Sequence, residues 1–225
     1  MKHYLLTIAA IFVGSLIVFI FRPSNQKNLK LLLAFSGAFL LAITVFDLLP
    51  EVFEDNHFGK QTGIWIMVGI LLQKILEYFS KGAEHGHIHL DKDTKQLPKL
   101  LFISLGIHAL LEGFPIHQAE GILLGIIVHK IPVAMILTTF LLHTKIKPVT
   151  IGITLFVFAL MTPLGTFLSE HLEIVQGYYK EITALVIGIF LHVSTTILFE
   201  SSEGHKFNIT KLMIILLATV TAFLI

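Results

Sequence analysis

Long apolar stretches with almost no charge decide what this chain can become. Windows of about 20 apolar residues fall near 4–21, 29–50, 63–79, 99–117, 120–142, 149–168, 181–199 and 209–225. A helix needs about that length to cross the hydrocarbon of a bilayer. The pattern predicts an all-α polytopic membrane protein, a single domain over residues 1–225 with eight transmembrane helices joined by short loops. Only 14% of the residues are charged, against about a quarter in soluble domains. The first run, Tyr4 to Phe21, is too long for a signal-peptide core. It ends in Phe21-Arg22-Pro23 without a small-residue cleavage site, so it reads as a retained span.

Charge also orients the chain. Of 16 Lys and Arg residues, 11 fall in what would be one set of loops and ends: Arg22, Lys27, Lys30, Lys81, Lys92, Lys95, Lys99, Lys145, Lys147, Lys206 and Lys211. The opposite side holds Lys2, Lys60 and Lys180, while Lys74 and Lys130 lie within spans. The positive-inside rule then puts the 80–98 loop in the cytoplasm and both termini outside. An odd number of spans would scramble this asymmetry. The net charge of +1 leaves no basic footprint for nucleic acid. Without cysteine there is no disulfide framework and no thiolate ligand.

Gly37-Ala38-Phe39-Leu40-Leu41-Ala42-Ile43-Thr44 resembles Gly188-Ile189-Phe190-Leu191-His192-Val193-Ser194-Thr195. Spans two and seven run in opposite senses, so the match predicts an inverted repeat, as in many secondary transporters. Chance likeness between apolar helices is the alternative.

Ionisable residues inside spans are costly and tend to serve function. His108 and Glu112 stand four apart, on one helix face. His129 lies on the next span. Only Gln118 and Ala119 join the two spans, and each histidine is ten residues from that turn. At 1.5 Å of rise per residue both lie roughly 15 Å below it, near the bilayer midplane. Imidazole and carboxylate are common zinc ligands, so the three side chains predict a metal site shared by two helices. Pro115 and Pro132 cannot donate to the carbonyls of Leu111 and Val128, which adjoin that site. Backbone left open at such depth is tolerated where protein or a wet cavity satisfies it. A His–Glu hydrogen bond that merely ties two helices together is the plainer alternative. Lys130 is a further buried cation. Its nearest partner in sequence terms is Glu112, where it could support the ligands, stand in for a second cation or carry a proton.

These motifs resemble those of the ZIP (Zrt/Irt-like protein) family of divalent metal transporters. Span four is similar to the family's H-x-x-x-[ED]-G pattern through His108, Glu112 and Gly113. Span five is similar to its H-K-x-P form through His129, Lys130 and Pro132. Asp47-Leu48-Leu49-Pro50-Glu51 resembles the end of the family's second span, and a histidine-bearing loop follows span three. The resemblance covers the full length, with its specific motifs in spans four and five. It implies passage of a divalent metal into the cytoplasm, zinc foremost, as cargo rather than as a cofactor. Three positions depart from the family pattern. Val133 stands where a Glu is common, Ala109 where an Asn is common, and Lys130 where two-metal members have Asp or Asn. The departures imply one metal held by His108, Glu112 and His129.

Other polar residues carry weaker expectations. Asp47, Glu51, His117 and Glu120 lie near the outer turn and could draw cations to an entrance; helix ends are also polar without any such role. His192 in span seven could line the path or relay protons, or serve helix–helix hydrogen bonding. His85, His87 and His89 alternate in the 80–98 loop and could bind metal weakly; a solvated loop is the alternative. Divalent ions, the bilayer and a second copy in a homodimer are the expected partners. A prokaryotic inner, or plasma, membrane is the expected location. Two competing functions are an intramembrane metalloenzyme acting on lipid, with His192 as third ligand and Glu112 as base, and a ZIP homologue that binds metal but transports weakly.

Overall fold

In the computed structural model, residues 2–21, 26–53, 59–85, 93–117, 120–200 and 209–225 are described. The helices are α1 (Lys2–Phe21), α2 (Gln26–Ile43), α3 (Leu49–Phe53), α4 (Gly59–Ser80), α5 (Lys99–Leu111), α6 (Glu120–Leu142), α7 (Pro148–His171), α8 (Glu173–Gly177), α9 (Tyr179–Glu200) and α10 (Ile209–Phe223). Among the described residues seven spans are long and apolar enough to cross a membrane, and α10 is a shorter apolar helix of 15 residues. At 1.5 Å per residue α10 is about 22 Å long, less than a full hydrocarbon thickness. The chain is an all-α polytopic membrane protein, as the apolar windows predict.

Two spans differ from plain α-helices. Span two runs from α2 into α3 through a π-helical turn, Thr44–Leu48. Such turns are rare and collect at functional sites; this one carries Asp47. Periodicity gave no sign of it. Span four stops being α-helical at Leu111 and continues as a 3-10 turn over Phe114–His117. Pro115 is the cause, because its missing N–H and its ring end the α-helical ladder. In α6, by contrast, Pro132 is carried inside a continuous helix.

The central spans bury most of their surface against one another. α1 packs along α6, and α7 along α5; α2 packs along α10, and α9 along α4. Exchanging the first three spans for the last three, and α5 for α6, maps these pairs onto one another. An inverted repeat demands that exchange, and the likeness around Gly37 and Gly188 lies on its related spans, α2 and α9.

Lipid supplies no hydrophobic drive between helices, so close contact rests on small residues. A Cβ at Gly69 in α4 would fall on the carbonyl oxygen of Leu185, and one at Gly188 in α9 on that of Ile66. Gly113 and Gly165 do the same for the end of α5 against α7, meeting the carbonyls of Thr162 and Leu110. Both contacts bring backbone onto backbone, which fixes α4 to α9 and α5 to α7.

Candidate metal site

Four ionisable side chains meet between α5 and α6, with His108, Glu112, His129 and Lys130 only 4%, 1%, 2% and 3% exposed. His108 and Glu112 follow one another by a single turn, His108 Nε2 lying 3.7 Å from Glu112 Oε2. The His129 ring stands edge-on to that of His108, with centroids 6.4 Å apart. The depth reckoned from the outer turn therefore does bring both histidines together. Lys130 forms a salt bridge with Glu112 Oε1, and its ammonium also stands 5.4 Å from the centre of the Phe158 ring. Among the described residues, no three His, Asp or Glu side chains gather closely enough to hold a metal ion. The two histidines, the carboxylate and the lysine ammonium instead form one buried cluster.

The sequence reading missed the groups from α7 and α4 that support this cluster. Thr162 Oγ lies 2.8 Å from both Glu112 Oε1 and the carbonyl oxygen of Ala109, and can donate its one proton to either. Ala109 needs that donor because the Gly113 N–H has turned to Leu110 at the helix end. Thr166 likewise donates to the Gly113 carbonyl, 2.9 Å away. Proline opens the backbone of α5 beside the site, and two threonines of α7 close it.

On the other side, His108 Nδ1 lies 3.0 Å from Gln73 Oε1 in α4. Gln73 Nε2 in turn donates to Glu84 Oε2 at 2.5 Å. Gln73 and Glu84 are both fully buried. Glu84 follows the end of α4, where Lys81 and Gly82 take left-handed backbone, with φ of 55° and 69°. That reversal folds the 3-10 turn Ala83–His85 back against α6 and α9. Neither Gln73 nor Glu84 was a candidate by sequence. An amide within an apolar window at position 73 was the one available signal.

Burial, with the charges of Glu77 and Glu112 adding to it, pushes the Glu84 carboxyl up to about 8. The folded protein thus holds a proton that the unfolded chain releases nearer 4.5. Stability is full below that unfolded value and falls as pH rises through about 8. Thermal melts in detergent are expected to drop between pH 6 and pH 9, and Glu84→Gln to flatten the drop. An unchanged slope in Glu84→Gln would contradict this.

The remaining candidates are spread along the bundle. His192 is not brought to His108; its Nε2 lies 2.7 Å from Glu77 Oε2, and Lys74 reaches the same carboxylate at 3.2 Å. Asp47, exposed at the π turn, stands beside Gly121 at the start of α6. His117 packs edge-on against Tyr179, centroids 5.7 Å apart, and lies 3.3 Å from Ser169 Oγ. The Tyr179 hydroxyl donates to the Pro115 carbonyl at 3.4 Å, and the Glu51 carboxylate lies near enough to act on that hydroxyl electrostatically. Glu51 and His117 are therefore neighbours, at the same end of the bundle as Asp47. The side chains of Glu120 and His85 lie outside the described residues, as do His87 and His89 altogether. Val133 packs into an apolar cluster with Ile11, Leu105 and Leu137. Gly125 meets Leu40 and Ile43 of α2.

Two curated proteins are similar to parts of the chain. Zinc transporter ZIP1 of Danio rerio is 31% identical over 93 residues, 38% of this chain and 30% of its own length. Zinc transporter ZupT of Streptococcus mutans is 28% identical over 116 residues, 45% of this chain and 44% of its own. The chain spans less than half the length of either relative. No protein-family model matches it.

Proposed function

We propose that this chain is a ZIP-type transporter that carries a divalent metal ion, zinc foremost, across the membrane through His108, Glu112 and His129. One observation carries the reading: two antiparallel helices bury two neighbouring imidazoles, one of them a turn from a carboxylate that already holds a cation, the Lys130 ammonium. The two similar zinc transporters support it. Uncompensated charge at that depth is expensive. A metal ion shedding water would be received by Glu112 and the histidine lone pairs, with Lys130 displaced from Glu112 as it arrives.

Glu51 and His117 around Tyr179, with Asp47 nearby, form a polar approach at one end of the bundle. Glu77, His192 and Glu84 lie toward the loops that are rich in Lys. That charge bias supports both termini outside; passage into the cytoplasm, in a multi-pass protein of a plasma membrane, rests on the ZIP resemblance. A homodimer completes the expected assembly. The lipid-hydrolase alternative needed His192 as a third ligand, and its 2.7 Å contact with Glu77 supports a separate place for it.

Radiolabelled zinc uptake into proteoliposomes tests this. Wild type is expected to accumulate zinc in the absence of any organic substrate, and the His108→Ala, Glu112→Ala double variant to lose it. Equal uptake by the two would overturn the assigned site.

A further inference from the structure

The geometry points to Gln73 and Glu84 as positioning residues that fix the tautomer of His108; this inference rests on the transport site proposed above. Gln73 is an uncharged amide, so its two ends are not equivalent. Its Nε2 end donates to Glu84 Oε2, at 2.5 Å. Its Oε1 end is thereby turned to His108 Nδ1, 3.0 Å away. An amide oxygen can only accept, so the imidazole carries its proton on Nδ1. Nε2 is then left with its lone pair, and Nε2 is the atom that faces Glu112. The hydrogen-bond chain thus presents His108 to the site as a ligand and not as a donor. A histidine whose other nitrogen donates to an oriented acceptor is also a better base toward a metal.

The effort spent in the fold on this contact supports a purpose beyond packing. Gln73 and Glu84 are both fully buried in a span and a connector that could have been apolar there. Glu84 reaches its place through two consecutive left-handed residues, one of them the non-glycine Lys81. Ala83 beside it is fully buried among Leu101, Leu105 and Leu141, which pins the turn. Among the described residues Glu84 Oε1 has no hydrogen-bond partner, and Oε2 makes the contact to Gln73.

The test uses the full chain in detergent and in proteoliposomes. In Gln73→Leu the KM for zinc uptake is expected to rise about 10–100-fold, the usual effect of removing a partner behind a ligating histidine. The swapped pair Gln73→Glu, Glu84→Gln keeps the polarity of the chain. Its carboxylate at position 73 accepts from His108, and its amide at position 84 donates to that carboxylate. The swap is expected to return KM to within about threefold of wild type. Nitrogen-15 NMR of the histidine rings in metal-free protein, with the His108 signal identified by its loss in His108→Ala, is expected to show the Nδ1–H form in wild type and in the swap, and a mixture of tautomers in Gln73→Leu. Wild-type KM and an unchanged His108 signal in Gln73→Leu would overturn the inference. So would a folded swapped variant whose KM stays raised tenfold or more. His108→Ala separates the two levels: if it transports like wild type, the site itself fails, and if it is inactive while Gln73→Leu is normal, only the positioning role fails.

Discussion

Glu112→Leu is expected to abolish zinc uptake and to cost about 3–5 kcal/mol of stability, the usual penalty for leaving a buried charge without its partner. The stranded charge is Lys130, which is 3% exposed and has the Phe158 ring as its other neighbour. A second change, Lys130→Met, removes that charge and fills its volume. The double variant is expected to regain most of the lost stability, since apolar replacement of a whole buried pair is often neutral or better. Uptake is not expected to return, because the carboxylate remains absent. Equilibrium unfolding in detergent gives the stability cycle, and proteoliposome uptake gives the second column. A double variant as unstable as Glu112→Leu would show that the two charges do not act as a pair.

The second large effect concerns Lys130 alone. In Lys130→Ala the Glu112 carboxylate keeps Thr162 as a donor but loses its counter-charge. The metal-free protein is expected to lose about 3–5 kcal/mol. Zinc, however, no longer has to displace an ammonium from Glu112. A hydrogen bond to a charged group is worth about 1.5–3 kcal/mol, so zinc should bind about 10–100-fold tighter than in wild type. Calorimetric titration checks the affinity, and melts with and without zinc check the stability. Weaker zinc binding would mean that Lys130 assists the metal and does not compete with it.

Fixed geometry made much of this legible in advance. Spans follow from apolar length, and the shared depth of His108 and His129 follows from constant helical rise on both sides of one turn. Pro115 by sequence only frees the Leu111 carbonyl; the end of the α-helix at Leu111 goes further than that. What stayed hidden depended on packing between distant segments. Thr162 and Thr166 are neutral residues in an apolar helix and acquire meaning only when α7 meets the open end of α5. Glu84 belonged, by sequence, to a polar loop; two left-handed residues turn it inward. The π turn at Thr44–Leu48 has no hydrophobic period of its own to betray it. His192 was visible as an ionisable residue within a span, but its pairing with Glu77 needed the contact of α4 with α9.

The two glycine contacts divide the bundle's central helices into two welded plates, α4 with α9 and α5 with α7. Backbone touching backbone leaves neither pair room to slide internally. His108 and Glu112 ride on one plate, and Gln73 on the other. The bond between His108 and Gln73 therefore lies on the seam. Rocking of one plate over the other would strain that bond, which makes a single imidazole a place where large motion and ligand chemistry are mechanically joined.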